Sequence, residues 1–279
     1  MNFYKITFEE NAMKIDVILI TKNSASHTPV FERSLRSLYR EVPVKRLIVV
    51  DAFSTDDTLK ILRKFPNVEI HQLKGNRAVA RQYGIEQAET EWFMFVDDDV
   101  ILCRDWFKIA QKYMLPEVGL IWGWDRICNP HARNRMKVMY YLRRINEYHL
   151  MLRNFKNRGG THDTLIRKEA VENIQIPADL HVYEDWYIKT YVEKKGFKCV
   201  VPRDLWCLHY LNPKYNLENM TVIARLQKKY GLQSDFVTLR NLALALPKCL
   251  AILLISMDLQ ACRDQWKMYF YNFIGRFYK

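Results

Sequence analysis

The sequence predicts an α/β protein whose central sheet is mainly parallel and carries helices on both faces. Short apolar runs alternate with amphipathic segments along residues 15–99, in the order β-α-β-α-β-α-β. This alternation requires crossover connections, which join parallel strands and pack the helices against the sheet. Hydrophobic residues make up 49% of the 279 residues and charged residues 27%, which is typical of a globular protein with a buried core.

Each of the four strands in this region is an apolar run that ends in a polar loop. The three intervening helices place apolar side chains at helical spacing, as Phe31, Leu35 and Leu38 do in the first of them. The predicted strands are residues 15–20, 46–50, 68–73 and 92–96, and the predicted helices are residues 30–40, 58–65 and 77–88.

The pattern is less regular after residue 99, but the same criteria identify further elements. A long basic helix rich in Tyr, Met and Leu is followed by the glycine pair Gly159 and Gly160, which breaks it. The predicted helices are residues 104–114, 134–156 and 183–195, and the predicted strands are residues 118–124, 164–167, 197–201 and 206–210.

The charge and cysteine content limit the classes of partner and compartment. A net charge of +12 suggests an anionic partner, which could be nucleic acid, anionic lipid or a phosphorylated substrate. The six cysteines include no C-x-x-C pair and none has a His at zinc-finger spacing. Because the first residues carry acids too early for a secretory signal, we expect reduced thiols in a cytoplasmic protein.

Three consecutive aspartates, Asp97, Asp98 and Asp99, follow the fourth strand directly. Adjacent carboxylates repel one another unless a cation neutralises them, and ligands bind at strand ends in open α/β sheets. These residues therefore suggest a metal-dependent site. The alternative is a helix start, with Asp99 as the N-cap.

Two further segments occur in the order and spacing of a known family. The loop Val49-Val-Asp-Ala-Phe-Ser-Thr-Asp-Asp-Thr58 resembles the V-V-D-x-x-S-x-D-x-T loop of family-two glycosyltransferases with the GT-A fold. The Asp97–Asp99 segment resembles the D-x-D motif of that family, and the segment from Lys74 to Ala88 resembles its glycine, arginine and helix segment. The resemblance is good over residues 14–125 and thinner through residue 210.

The resemblance implies a transferase that uses a nucleotide-diphosphate sugar, UDP- or GDP-linked, and a divalent metal. Asp99 is the expected metal ligand, Asp97 would contact the metal or the ribose, and Asp98 would support either. Related enzymes sometimes place a metal or diphosphate contact where His209 lies. Since the sequence has no Cys/His cluster for zinc, Mg²⁺ or Mn²⁺ is the expected ion.

The resemblance also implies the residues that bind the nucleotide. Asp51 is expected to hydrogen-bond the base, although an aspartate at this position could instead cap a turn. The family often has Asp and Gly where this chain has Ala52 and Phe53, so the loop shape and the base remain open. The remaining expected nucleotide contacts are Arg77, Arg81, Thr21 and Asn23, of which the arginines could equally be solvated helix charges.

The acceptor half carries the predicted chemistry. Glu184 and Asp185 resemble the family's E-D pair at a helix start, which implies that Asp185 is the general base and that Glu184 orients a substrate. Two acids at this position could also serve only the helix dipole. Gly159, Gly160 and Thr161 resemble the segment that lets the acceptor-side backbone approach the sugar.

The last part of the sequence differs in composition. Residues 242–259 are almost wholly apolar but contain Pro247 and Lys248, so we do not expect a membrane span. Residues 263–279 mix aromatic and basic side chains, which is typical of an interfacial helix. We expect peripheral contact with the cytoplasmic face of a membrane; the alternative is that these helices cap the domain or form a dimer interface.

The predicted organisation is an extension (residues 1–13), a GT-A catalytic domain (14–213, with halves 14–125 and 126–213) and a helical C-terminal segment (214–279). The acceptor would be a glycan or a lipid-linked group, attacked through a hydroxyl or a phosphate. A sugar-phosphate nucleotidyltransferase is disfavoured, because the loop after the first strand lacks glycine. A nucleic-acid-binding protein is suggested by charge alone, with no recognition motif, so we expect no nucleic acid partner. A membrane-docked scaffold without activity is the remaining alternative.

Overall fold

The computed structural model describes residues 13–211 and 217–278, and within them it has the predicted α/β architecture. A seven-stranded sheet has the order β3-β2-β1-β4-β8-β6-β9, and the first four of these strands are parallel. A smaller sheet has the order β5-β10-β7. The strands are β1 Ile15–Thr21, β2 Val44–Asp51, β3 Val68–Gln72, β4 Trp92–Val96, β5 Val100–Leu102, β6 Val118–Trp122, β7 Trp124–Ile127, β8 Asp163–Arg167, β9 Lys198–Val200 and β10 Trp206–His209.

Helices cover the large sheet and form most of the C-terminal region. They are α1 Ser24–His27, α2 Phe31–Glu41, α3 Thr58–Leu62, α4 Arg77–Gln87, α5 Trp106–Gln111, α6 Pro130–Arg143, α7 Glu147–Arg158, α8 Glu184–Lys194, α9 Leu217–Lys229, α10 Asp235–Ala243, α11 Ala245–Ser256 and α12 Leu259–Phe277. The predicted extension lies almost entirely in residues 1–12, outside the described residues.

Strand β4 lies at the centre of the large sheet and is buried along its whole length. It pairs in parallel with β1 and antiparallel with β8, so its carboxyl end meets the carboxyl ends of β1 and β2 on one side and the start of β8 on the other. Asp97–Asp99 continue directly into strand β5 rather than into a helix, so the helix-cap alternative for these aspartates is wrong.

Two predicted elements are interrupted. The strand predicted over residues 118–124 is divided at Gly123 into β6 and β7, which belong to different sheets. Gly123 donates its N–H to the Asp163 carbonyl at 3.1 Å, and a Cβ there would overlap the Asp163 carboxylate. The helix predicted over residues 134–156 is two helices, α6 and α7, because Arg144 adopts a left-handed conformation at φ 50°.

The chain divides into two compact units: Met1–Arg126 with Met151–Tyr210, and Ile127–Leu150 with Leu211–Lys279. The first unit contains nearly all of both sheets. The second is helical and includes α6, which the predicted boundaries placed in the catalytic domain. A small core of Val138, Ile252 and Ala261 joins α6, α11 and α12 within this unit.

Helices α10 and α11 of the second unit expose much of their apolar surface. Leu246, Leu250 and Leu254 occupy successive turns of one face of α11, and each side chain is at least half exposed. No single helix among the described residues has the length and hydropathy to span a membrane. Taken together, α10 and α11 meet both criteria but are bent by 46°.

Candidate functional site

The loop after β2 is fixed by Asp51, which is fully buried. Its carboxylate accepts hydrogen bonds from the Ser54 backbone N–H at 2.9 Å, the Ser54 hydroxyl, and Gln72 Nε2 at 3.0 Å. Asp51 therefore has the turn-capping role that the sequence allowed, and its contact with a base remains a prediction. Phe53, half exposed in the same loop, takes the left-handed conformation (φ 56°) that glycine usually supplies.

The residues after β1 hold two loops of the site together. The Asn23 side chain accepts the Thr55 N–H at 2.8 Å, and the Asn23 N–H donates to the Ser54 hydroxyl at 2.8 Å. The Thr21 hydroxyl contacts the Ser24 hydroxyl, which donates to the Asp98 carboxylate. The structure thus places Thr21 and Asn23 at the site edge as supports for the neighbouring loops and for Asp98.

Asp98 is half-buried beside two further carboxylates, which changes its pKa. Burial, together with the charges of Asp99 and Asp97, raises its pKa to about 7, although the Ser24 hydrogen bond and the Arg77 charge oppose the shift. Arg77 itself is exposed, and its side chain makes no hydrogen bond within the described part of the chain. Its charge still lowers the pKa of Asp97, so the guanidinium lies within electrostatic reach of the triplet.

Arg81 joins the nucleotide half of the site to the acceptor half. Its Nη2 donates to Asp97 Oδ1 at 2.9 Å, and its Nε lies 3.4 Å from Glu184 Oε1. The side chain is only 2% exposed and stacks over Phe95 at 4.7 Å, so the interpretation of Arg81 as a solvated helix charge is wrong. The Asp97 and Glu184 charges raise the pKa of Arg81 in spite of its burial.

Glu184 is nearly as buried as Arg81, and this burial raises the pKa of its carboxyl group. Burial and the charge of Asp185 raise the pKa of Glu184 to about 7, although Arg81 and Arg77 oppose the shift. One of its carboxylate oxygens, Oε2, has no hydrogen-bond partner among the described residues. Glu184 is therefore partly protonated near neutral pH.

The raised pKa of Glu184 predicts a pH-dependent contribution to stability. Because the folded chain binds this proton more tightly than the unfolded chain, the stabilisation is complete below the ordinary pKa of 4.5 and is lost as the pH rises through about 7. Between about pH 5 and about pH 8, the free energy of unfolding should fall by up to about 3 kcal/mol more in the wild type than in Glu184→Gln. Urea unfolding without added metal tests this, and equal pH dependence in the two proteins would contradict it.

Asp99 and His209 form the part of the site that fits a metal ion. His209 Nε2 lies 3.3 Å from Asp99 Oδ1, and the antiparallel pairing of β5 with β10 brings these residues together. Asp99 Oδ1 is buried and accepts no hydrogen bond from the described residues. An unpartnered buried carboxylate oxygen beside an imidazole is a donor set that a divalent cation would complete.

A chain of buried polar groups that the sequence analysis missed extends behind His209. His209 Nδ1 lies 3.2 Å from Asp125 Oδ2. His162 follows, with Nε2 3.9 Å from Asp125 Oδ1 and Nδ1 2.6 Å from Asp163 Oδ1. Trp106 Nε1 donates to Asp163 Oδ2 at 2.9 Å and ends the chain. In the sequence, these residues appear only as single polar side chains beside apolar strands, a pattern too common to indicate a buried network.

Asp185 lies beside the predicted acceptor glycines. It follows Glu184 at the start of α8, where its Oδ1 accepts the Trp186 N–H at 2.9 Å. Arg158 Nε lies 3.3 Å from Asp185 Oδ2, and this carboxylate raises the pKa of Arg158. Gly159, at φ 87°, approaches so closely that a Cβ would lie 2.5 Å from the Asp185 carbonyl oxygen.

The other predicted acceptor residues, Gly160 and Thr161, are buried, and Gly160 contacts β6 and β8. A Cβ at Gly160 would lie 2.3 Å from Trp122 Nε1, so glycine is required where the backbone passes this indole. The Gly160 carbonyl accepts the Thr164 hydroxyl at 2.9 Å, which ties the segment to β8. Thr161 is buried. The structure therefore brings the predicted acceptor segment and the predicted base together.

Sequence comparison places this arrangement in a family. The family model described as "Glycosyl transferase family 2" matches residues 16–174, more than half of the chain. The chain belongs to glycosyl transferase family 2. The matched residues include β1 to β4, the aspartate triplet, Arg81 and the segment from Gly159 to Asp163, but end before Glu184 and His209.

The chain is also similar to individual members of this family. It is 32% identical over 108 residues to the poly(ribitol-phosphate) beta-N-acetylglucosaminyltransferase TarS of Staphylococcus aureus (strain Mu50), an alignment of 37% of this chain and 19% of that protein. It is 40% identical over 62 residues to the glycosyltransferase SunS of Bacillus subtilis (strain 168), covering 21% of this chain and 15% of SunS. The chain thus spans less than a quarter of the length of these relatives.

Solved structures share the fold. The mannosyltransferase PcManGT from Pyrobaculum calidifontis, in complex with GDP-Man and Mn²⁺, matches with a TM-score of 0.62 at 17% identity, over 94% of this chain and 85% of that one. Residues 1–349 of S. aureus TarS in complex with UDP match with a TM-score of 0.52 at 18% identity, over 96% and 93% of the two chains. These similarities confirm the predicted GT-A fold.

Proposed function

We propose that this family 2 chain is a metal-dependent, inverting glycosyltransferase that moves a sugar from a UDP- or GDP-linked donor to a glycan or lipid-linked acceptor. The observation that carries the proposal is the buried Arg81, which holds Asp97 of the nucleotide half and Glu184 of the acceptor half. Burying the Arg81 cation beside the buried Glu184 carboxylate and the partly exposed Asp97 carboxylate is costly, and such charge clusters are typical of active sites.

Asp99 and His209 are the residues that would hold Mg²⁺ or Mn²⁺ in this proposal, with Asp97 directed toward the metal or the ribose. When bound, the cation would neutralise the diphosphate and act as a Lewis acid on the leaving oxygens. The binding of Mn²⁺ by the structural neighbour PcManGT supports this choice of ion. Arg77 would add a positive charge beside the diphosphate.

Asp185 would remove the proton from an acceptor hydroxyl as its oxygen bonds to the anomeric carbon and the bond to the diphosphate breaks. Attack on the face opposite the leaving group inverts the anomeric configuration. Gly159 lies against the Asp185 backbone, so the segment from Gly159 to Thr161 is the proposed wall of the acceptor pocket. Glu184, held by Arg81, would orient the sugar.

Isothermal calorimetry with UDP- and GDP-sugars, with and without Mn²⁺, tests the proposed function. We expect one nucleotide class to bind only when Mn²⁺ is present and the other class to bind much more weakly. If neither class bound in the presence of Mn²⁺, the metal-dependent transferase proposal would be overturned.

We further propose that the second unit contacts the cytoplasmic face of a membrane through α10 and α11. Exposed Leu246, Leu250 and Leu254 supply an apolar face, and exposed Arg240 and Arg263 supply charge for anionic lipid. This contact would concentrate the protein at a membrane that carries a lipid-linked acceptor.

Replacing Leu246, Leu250 and Leu254 together with Gln should weaken binding to anionic phospholipid vesicles about tenfold or more, because binding scales with buried apolar area. Co-sedimentation measures this, with Leu115→Gln as the matched control, since Leu115 is an exposed leucine of the first unit. Undiminished sedimentation of the triple variant would exclude this face as the lipid contact.

A further inference from the structure

Asp125 lies where it can fix the orientation of His209. It is the second residue of β7, whose first residue, Trp124, is anchored beside β10 by hydrogen bonds to the Leu205 and Arg203 carbonyls at 3.1 and 3.0 Å. This anchoring sets Asp125 Oδ2 at 3.2 Å from His209 Nδ1. Asp125 is thus held by the backbone of the small sheet.

The two ring nitrogens of His209 face different carboxylates. Nδ1 faces Asp125, while Nε2 faces Asp99 at 3.3 Å. A histidine that binds metal through one nitrogen commonly donates the N–H of the other to a carboxylate, which fixes both the tautomer and the ring plane. If Nδ1 donates its N–H to Asp125 when a cation is bound, the Nε2 lone pair would be directed at the space beside Asp99.

His162, the other imidazole near Asp125, is committed elsewhere. Its Nε2 accepts the Trp122 indole N–H at 3.2 Å, and its Nδ1 lies 2.6 Å from Asp163. Its 3.9 Å separation from Asp125 is too long for a direct hydrogen bond. His162 therefore makes no direct hydrogen bond to Asp125, and His209 is the imidazole that Asp125 orients.

We infer that Asp125 is a positioning residue for the metal site, acting through His209 rather than as a ligand. This inference rests on the proposed function, because it requires that His209 bind a divalent cation. Asp125 itself is held in place by the anchored neighbour Trp124 rather than by a hydrogen bond from His162. Removing the Asp125 charge should therefore loosen His209 without disturbing Asp99.

Mn²⁺ binding measured by electron paramagnetic resonance, without nucleotide or turnover, tests the inference. Asp125→Asn should bind Mn²⁺ about 10- to 100-fold more weakly than the wild type. Asp105→Asn, at an exposed aspartate of the same unit, should bind like the wild type. In a His209→Ala background, adding Asp125→Asn should change the affinity little, because the interaction it removes is already absent.

The possible results of the Mn²⁺ titrations distinguish a failure of this inference from a failure of the proposed function. Wild-type affinity in Asp125→Asn would overturn the inference and leave the proposed function intact. A full additional loss in the His209→Ala background would make Asp125 a ligand or a fold residue and would overturn positioning. If the wild type bound no Mn²⁺, both would fail.

A second measurement does not depend on metal. Nuclear magnetic resonance of the metal-free wild type should show a hydrogen-bonded His209 Nδ1 proton that is absent from Asp125→Ala and present in Asp105→Asn. Persistence of this resonance in a folded Asp125→Ala protein would overturn the inference.

Discussion

Asp99→Asn is expected to lower sugar transfer by more than about a hundredfold, since the loss of residues that merely support metal ligands already costs about 10- to 100-fold. Asp99 Oδ1 is buried, lacks a hydrogen-bond donor among the described residues and lies beside His209. Asparagine keeps the size of the side chain but removes the charge that would hold the cation. The transfer rate at saturating donor, measured over a Mn²⁺ titration, should show this loss.

The control for Asp99→Asn is Asp105→Asn, which changes an exposed aspartate near the same small sheet. It should retain wild-type transfer and wild-type metal dependence. If Asp99→Asn transferred sugar at the wild-type rate with an unchanged Mn²⁺ requirement, Asp99 would not be a metal ligand. The metal site would then have to lie elsewhere.

Asp185→Asn is expected to lower transfer to a hydroxyl acceptor by about 10²- to 10⁴-fold, the range for general base catalysis. Its donor affinity should remain near the wild-type value, because Asp185 contacts Arg158, Trp186 and the acceptor-side backbone rather than the aspartate triplet. Asparagine still offers an oxygen to the Trp186 N–H, so the start of α8 should be preserved. Calorimetry of the donor and the steady-state transfer rate together measure this separation.

Two outcomes would contradict the role of Asp185. Unchanged transfer to a hydroxyl acceptor would exclude it as the base. Equal loss of donor affinity and rate would make it a donor-binding residue. An acceptor phosphate is already ionised and needs no base. Transfer to a phosphate acceptor should therefore be undiminished in Asp185→Asn, even where transfer to a hydroxyl acceptor is lost.

The sequence predicted those parts of the fold and site that depend on neighbouring residues. Apolar runs ending in acids identified β2 and β4, and parallel connections then required that Asp51 and Asp97 lie at the same edge of the sheet. The family resemblance predicted that Gly159 and Gly160 let the acceptor-side backbone approach the sugar, and that approach stays a prediction. The structure shows instead that the two glycines pass close to the Asp185 carbonyl and the Trp122 indole.

The features that the sequence did not predict depend on pairing between distant segments. Arg81 is buried because α4 packs against β1 and β2, and its two carboxylate partners stand 16 and 103 residues away. Asp125 and His162 become neighbours because β6 pairs with β8, which sets Trp122 opposite Thr164 and lets the Gly123 N–H donate to the Asp163 carbonyl. Arg144 ends α6 in a left-handed conformation without the glycine that normally marks such a point.

The most direct test of the central claim is product analysis after incubation with a panel of labelled UDP- and GDP-sugars, lipid-linked and glycan acceptors, and Mn²⁺. We expect one donor to give a glycosylated product whose anomeric configuration is opposite to that of the donor, and we expect chelation of the metal to abolish it. A product formed at the same rate in the presence of chelator, or no product from any donor, would contradict the account.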